Sequence, residues 1–345
     1  VGFSAPIAAA SIAFATYFFR TLPTSISPEP AVPFIRLHIL ALSPITILAS
    51  SIIIIFSLIH YHSLFLGTRV QNGLTVFKIG LIVVFVVAGL WVGNGSTTHF
   101  SERLDLGSVF QDKFAVSLIF VSFAYSGWNA AAYIGGEIRN PSRNLPASLL
   151  IGTVFVVAAY VLINTAYLSG ASLEQLSGQE AAAQVVSGNL FGSSGQSVVN
   201  VLILLSITSS LTAMSIAGPR VYYAMSRDRL LPPWFSEVDA RKKIPLKAVW
   251  FQTLLAILFV FVGQLSQILI YAGVILISFS MLTVSTLFKV SRMRFLPAVF
   301  ISISLVILVY AAVSKPVESL VGVATVALGL PVFRHYRRKP RPEPD

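Results

Sequence analysis

The sequence predicts an all-α polytopic membrane protein of about ten transmembrane helices, and three observations predict it. Of its 345 residues, 55% are hydrophobic and only 11% are charged, whereas a soluble domain carries about 25% charged residues. Mean hydropathy is +0.81, so the medium that accepts this much apolar surface is a bilayer. Apolar runs close to 20 residues long recur along the chain, which is the length a helix needs to cross about 30 Å of hydrocarbon. Inside lipid a segment must also satisfy its own backbone polar groups, and a helix does so.

The elements follow in order. Residues 1–19 (VGFSAPIAAASIAFATYFF) form the first run; it begins at Val1 within apolar sequence, with no basic leader or cleavage site, and reads as the start of a fragment. Pro23, Pro28, Pro30 and Pro33 make the next connection extended. Spans are expected over 37–60 and 73–93, then over 114–136, where Ser126-Gly127 and Gly135-Gly136 weaken the helix. Another is expected over 146–169, after the turn Asn140-Pro141-Ser142-Arg143-Asn144-Leu145-Pro146. Residues 172–195 are too polar to span, but Ser172 and Gln175 have the spacing of a capping box before alanine-rich sequence. A short outer helix is expected there, either a connector or a lid over an entry path. The remaining spans are 197–217, 247–265, 267–288, 295–313 and 317–333.

The formal charge of +11, from 24 Lys and Arg against 13 Asp and Glu, sits between these runs. Alternate connections hold Arg69 and Lys78, Arg139 and Arg143, seven basic residues from Arg220 to Lys247, three from Lys289 to Arg294 and five from Arg334 to Arg341, nineteen in all. The opposite connections hold five: Arg20, Arg36, Arg103, Lys113 and Lys315. Short basic loops stay cytoplasmic, so the C-terminus is expected there, and with an even number of spans Val1 too. The basic tail then reads as a topology signal attracted to anionic lipid, with no nucleic-acid partner. Zero cysteines exclude disulfides, thiolate metal sites and a cysteine nucleophile. His38, His60, His62, His99 and His335 form no H-E-x-x-H pattern. Neither a metal nor another cofactor is expected, and the chain does not read as an enzyme.

Polar chemistry enters the spans at few places, and an ionisable residue there is a functional candidate by default. Lys78 is the first, read either as functional or as a lysine that snorkels to the headgroups along its aliphatic stem. The second is Phe123-Ala124-Tyr125-Ser126-Gly127-Trp128-Asn129. Transporters break helices at the bilayer midplane to face a substrate, whereas small residues also serve close helix packing. Glu137 at the membrane edge reads as a solvated ion pair with Arg139 or Arg143, with a proton carrier as the alternative. Ser206, Thr208, Ser209, Ser210, Thr212 and Ser215 share one span, where hydroxyls bond their own helix or line a weak ion or substrate site.

These residues carry a resemblance. FAYSGWNAAAYIGGEIRNPSRNLPASL resembles the sixth transmembrane segment and following loop of the amino acid-polyamine-organocation permeases. VQNGLTVFKIGLI resembles the start of that family's fifth helix, and GPRVYYAMSRDRLLP the cytoplasmic segment after its eighth. The L-type and related bacterial amino acid permeases are the subgroup most similar in appearance.

The resemblance implies a LeuT-type inverted-repeat (5+5) fold lacking its first two helices, as one permease domain over 1–345. Residues 1–93 would be helices three to five, 114–288 the second repeat, 295–333 helices eleven and twelve, and 334–345 a basic cytoplasmic tail. It implies that Phe123 gates the substrate, that Ala124 and Ser126 lend carbonyls to its α-amino group, and that Tyr125 lies in the same substrate-binding segment. Gly127 would permit the break, which Trp128 and Asn129 brace. Lys78 matches the lysine that in many relatives stands in place of a sodium ion, and Ser209, Ser210 and Thr212 fall in the matching eighth-helix region. The implied function is secondary transport of amino acids, neutral ones since no pairing charge lies near Phe123, by exchange or proton symport across a bacterial inner membrane. The alternatives are an inactive truncated permease and a membrane receptor or enzyme.

Overall fold

A computed structural model describes residues 2–22, 35–37, 40–62, 64–93, 111–128, 130–133, 135, 138–179, 181–239, 244–290 and 294–337. A helix lies in each of the ten apolar segments. The order is α1 (Ser4–Thr21), α2 (Pro44–His62), α3 (Leu64–Val92), α4 (Asp112–Ala124), α5 (Ala130–Tyr133), α6 (Pro141–Gly170) and α7 (Leu173–Leu176). It continues with α8 (Ala182–Arg227), α9 (Leu246–Val262), α10 (Leu265–Ser285), α11 (Leu287–Val290), α12 (Phe295–Ser314) and α13 (Pro316–Arg337). Among the described residues six helical stretches are long and apolar enough to cross a membrane: Asn72–Val92, Pro141–Gly170, Ala182–Arg227, Leu265–Val290, Phe295–Ser314 and Pro316–Tyr336. Pro44–His60 and Leu246–Val262 are apolar but shorter. The protein is an integral, multi-pass, all-α membrane protein; among the described residues one small ladder departs from this, β1 (Ile35–Leu37) antiparallel to β2 (Leu40–Leu42), with Ile35 opposite Leu42.

That ladder corrects the second expected span, which begins at Pro44 rather than at residue 37. Ser43 caps the helix reciprocally: Thr46 N–H donates to Ser43 Oγ at 3.2 Å and Ser43 N–H to Thr46 Oγ1 at 2.8 Å. Pro44 occupies the first helical position, where its missing N–H costs nothing. The span expected from 146 likewise begins earlier, at Pro141, following Asn140 with φ 50°.

The chain forms two compact units. The first comprises residues 1–9, 105–129 and 214–345. In it α4, α10 and α12 pack around Ile119, Ile270, Val274, Ile277, Ile307 and Ala311. Gly273 admits Ile119 to the surface of α10, since a Cβ there would stand 2.6 Å from Ile119 Cγ2. α13 joins α10, with Tyr271 Oη donating to Thr325 Oγ1 at 3.1 Å. The turn after α8 is folded: Arg229 adopts φ 60°, Leu230 N–H donates to Met225 O at 2.8 Å, and Ser226 Oγ donates to Pro232 O at 2.7 Å. Buried Phe235 stacks on Trp234 at 3.9 Å and meets Phe251 edge-on at 5.0 Å. A Glu237–Lys247 ion pair closes the turn.

The second unit comprises residues 10–104 and 130–213. Its main seam joins α3 and α6 through small residues, Gly89 and, four residues on, Gly93 against Ala166 and Ser169. Added Cβ atoms would stand 3.1 Å from Ala166 Cβ at Gly89 and 2.9 Å from Ser169 O at Gly93. Such spacing lets membrane helices approach backbone to backbone. The segment from Ser172 folds as the Ser172–Gln175 spacing predicts. Ser172 Oγ accepts from Gln175 N–H at 3.3 Å while Gln175 Oε1 accepts from Ser172 N–H at 3.2 Å, capping α7. The helical run of α8 is kinked at Gly192 (φ 69°, ψ −165°), so its first ten residues form a separate short helix. Asn189 Nδ2 ties that helix to Gly170 O at 3.1 Å and to Gln175 Oε1 at 3.2 Å.

Candidate functional site

The break expected in the fourth span is present. α4 is anchored at fully buried Ile119, one turn before Phe123, and it ends at Ala124. Its last turn tightens, with Tyr125 N–H donating to Val121 O at 3.0 Å and Ser126 N–H to Phe123 O at 2.9 Å. Gly127 then takes φ +97°, a conformation open to glycine and costly to other residues, and the next described helix begins at Ala130. A helix end leaves up to four backbone groups without intrahelical partners, and inside a membrane such irregular backbone persists only against protein or a cavity. Phe123 and Tyr125 are half-buried, whereas Ala124, Ser126, Gly127 and Trp128 are exposed. Asn129 lies outside the described residues, as does Glu137.

Lys78 is half-buried on α3, between exposed Phe77 and Ile79. One turn further on, Leu81, Ile82 and Phe85 line a cavity of about 110 Å³ with Ile163 and Tyr167 of α6 and Ser206 of α8. Phe85 and Tyr167 meet edge-to-face at 5.9 Å on its wall. The cavity therefore unites the two helices that carry the expected coupling residues, but neither Lys78 nor Ser209, Ser210 or Thr212 lines it. On α8, Thr208, Ser210 and Thr212 donate to the carbonyls one turn back, Leu204, Ser206 and Thr208, at 2.9, 3.2 and 2.9 Å. Ser209 is fully buried and Thr212 nearly so.

Two polar groupings escape a reading by hydropathy. Gln184 Oε1 accepts from Arg20 Nη1 at 3.3 Å, and its amide donates to Asn200 Oδ1, with Gln184 and Asn200 both buried. These partners lie far apart in sequence and have no local signature. The other is the buried face of α2, with Thr46, Ser50, Ser57 and His60; its signal is helical periodicity, which an average over a window erases. Orphaned buried polar atoms cost about 1–3 kcal/mol each, and His60 has two, its ring nitrogens, among the described residues.

A polytopic helical chain with one span opened in mid-run has the architecture of a membrane carrier. The chain belongs to the amino acid permease family, whose model matches residues 1–329. It is similar to the human b(0,+)-type amino acid transporter 1, 27% identical over 227 residues, 65% of this chain and 46% of that protein. It is 26% identical to the human cystine/glutamate transporter over 292 residues, 80% of this chain and 58% of the relative. It is 32% identical over 211 residues to the serine/threonine exchanger SteT of Bacillus subtilis (strain 168), 59% of this chain and 47% of that protein. The chain thus spans about half the length of the curated relatives it matches.

Proposed function

We propose that this chain belongs to a secondary carrier that moves amino acids, neutral ones by preference, across a bacterial inner membrane by alternating access. The observation that carries the reading is the interruption between Ala124 and Ala130 within a family-matched span. Backbone groups released there are suited to the α-amino group of a substrate. Phe123, Tyr125, Trp128 and Asn129 surround it in sequence, and no charged side chain lies between Phe114 and Gly136 to pair with a charged substrate. Exchange rather than proton symport is favoured by one relative's description as a serine/threonine exchanger. Lys78 supplies a fixed positive charge in place of a coupling cation, and Ser209, Ser210 and Thr212 stiffen or line the facing helix. The repeats follow the LeuT-type 5+5 arrangement, with the basic C-terminus in the cytoplasm. The substrate undergoes no chemistry and no cofactor takes part.

The test is exchange in proteoliposomes loaded with serine, comparing uptake of labelled neutral, cationic and acidic amino acids. Joint replacement Ser126→Leu and Gly127→Leu is expected to abolish neutral amino acid uptake while the protein stays in the membrane. Unchanged substrate affinity in that variant overturns the assignment of the break.

A further inference from the structure

α2 turns its polar side inward. Thr46, Ser50, Ser57 and His60 are buried together with Ala49, Ile52 and Ile53, the last within the same arc, while Ile47, Ile55, Leu58 and Ile59 of the same helix are exposed. At 3.6 residues per turn the four polar positions fall within an arc of about 80°, and from Thr46 to His60 they cover about 21 Å of helix axis. That is most of a hydrocarbon core of about 30 Å. Ionisable residues inside spans face the bundle interior or water and mark ion and proton paths.

Hydrogen bonding separates this face from ordinary small-residue packing. Thr46 donates to Ser43 O at 2.9 Å and Ser57 to Ile53 O at 2.8 Å, as hydroxyls in helices do. Ser50 Oγ and both ring nitrogens of His60 have no hydrogen-bond partner among the described residues, although His60 is only 2% exposed. A neutral imidazole presents one donor and one acceptor, and a buried pair of that kind is what an ordered water satisfies. Among the described elements, α3 and β2 make the main contacts with α2. β2 has no titratable residue, α3 has Arg69 and half-buried Lys78, and Tyr61 and His62 follow His60 on its own helix. Neither α2 nor α3 contains an Asp or Glu, so neither offers His60 a carboxylate partner.

We propose that the inward face of α2 is a hydrated lining ending at His60, and that His60 reversibly binds a proton delivered along it. The proton passes from a hydronium ion to the imidazole lone pair, leaving water and an imidazolium with two N–H donors, and the reverse step returns it. This inference stands apart from the transport reading, because neither the lining nor the proton depends on which solute the chain carries.

The sequence holds no cysteine, so a single introduced thiol is the only one. Ser50→Cys and Ser57→Cys, with Ile55→Cys as the lipid-facing control, are reconstituted and treated with a charged, membrane-impermeant thiosulfonate. Ser50→Cys and Ser57→Cys are expected to react about tenfold faster than Ile55→Cys, because a thiol ionises and reacts readily only where water reaches it. For Ser57→Cys the rate ratio of a cationic to an anionic reagent cancels thiol ionisation. That ratio is expected to fall several-fold from about pH 8 to about pH 5, the range in which histidine titrates, and to become flat when His60→Gln is added. Slow reaction of Ser50→Cys and Ser57→Cys, equal to the control, overturns the hydrated lining. Fast reaction with a flat ratio while His60 is present overturns the proton site, and both readouts stand even where His60→Gln fails to fold.

Discussion

Gly127 and Gly80 are both open to an added methyl group, since neither Cβ would meet a heavy atom within 4 Å. They differ in backbone conformation. Gly127 has φ +97°, where an L-residue costs about 1–2 kcal/mol, whereas Gly80 lies inside α3, where alanine gains about 0.5–1 kcal/mol over glycine. Gly127→Ala is therefore expected to lower the thermal midpoint in detergent and Gly80→Ala to raise it; shifts of the same sign contradict the break at Gly127. Lys78 separates its two roles by charge alone. A lysine that only snorkels is replaceable, so Lys78→Gln would leave exchange intact, whereas a charge in place of a coupling cation makes that variant inactive though still membrane-inserted. Proteoliposome exchange with Lys78→Gln is expected to fall by about tenfold or more.

At the scale of the element, the packing of α6 against α3 and against the helix at 182–191 depends on what glycine lacks. A Cβ at Gly170 would lie 2.8 Å from Val186 Cγ1 and 2.9 Å from Leu190 Cδ1. Gly170→Val then forces the helix at 182–191 away from the end of α6, at a cost of about 1–3 kcal/mol for overpacking. The variant is expected to melt earlier and to expose that segment to protease, while Gly152→Ala in the same helix, where a Cβ meets nothing within 4 Å, leaves both unchanged. This packing is where the sequence was least legible. Helix positions could be read because lipid demands long apolar runs, the α7 cap because Ser172 and Gln175 are three residues apart, and the break because Ser126-Gly127 interrupts a run. Gly89 and Gly93 gain meaning only against Ala166 and Ser169, and Gly170 only against Val186 and Leu190, which no single segment reveals. Hydropathy also ran the second span back to residue 37, because it does not register the Ser43–Thr46 cap or the proline between them. At the candidate site, the break and the α8 hydroxyls were legible as local patterns. The cavity lined by α3, α6 and α8 was not, because it is made by three helices distant in sequence.

The whole molecule is set in the membrane by charge and by length. Beyond the kink at Gly192, Ser193 to Arg227 is continuous helix, about 50 Å long at 1.5 Å per residue and so about 20 Å longer than the hydrocarbon it crosses. The surplus carries Arg220 and Arg227 and ends at the folded turn where Tyr222, Trp234, Phe235 and Phe251 cluster. Aromatic and basic side chains of this kind settle at the membrane–water interface, the basic ones on the cytoplasmic side. The opposite end of α8 begins at the capped α7 segment, which holds Glu174 and no Lys or Arg. On the proposed topology, positions 174 and 236 are expected to face opposite compartments, with 236 inside. In the cysteine-free sequence, Glu174→Cys is expected to react with an impermeant thiol reagent in right-side-out vesicles and Ser236→Cys only after inversion. Glu174 is exposed and Ser236 is half-buried. Labelling from the same side would mean that α8 does not cross, which removes the alternation on which the count of nineteen basic residues against five rests. Labelling from opposite sides in the reverse sense would keep the fold and invert the protein, leaving the folded, basic turn after α8 on the outer surface.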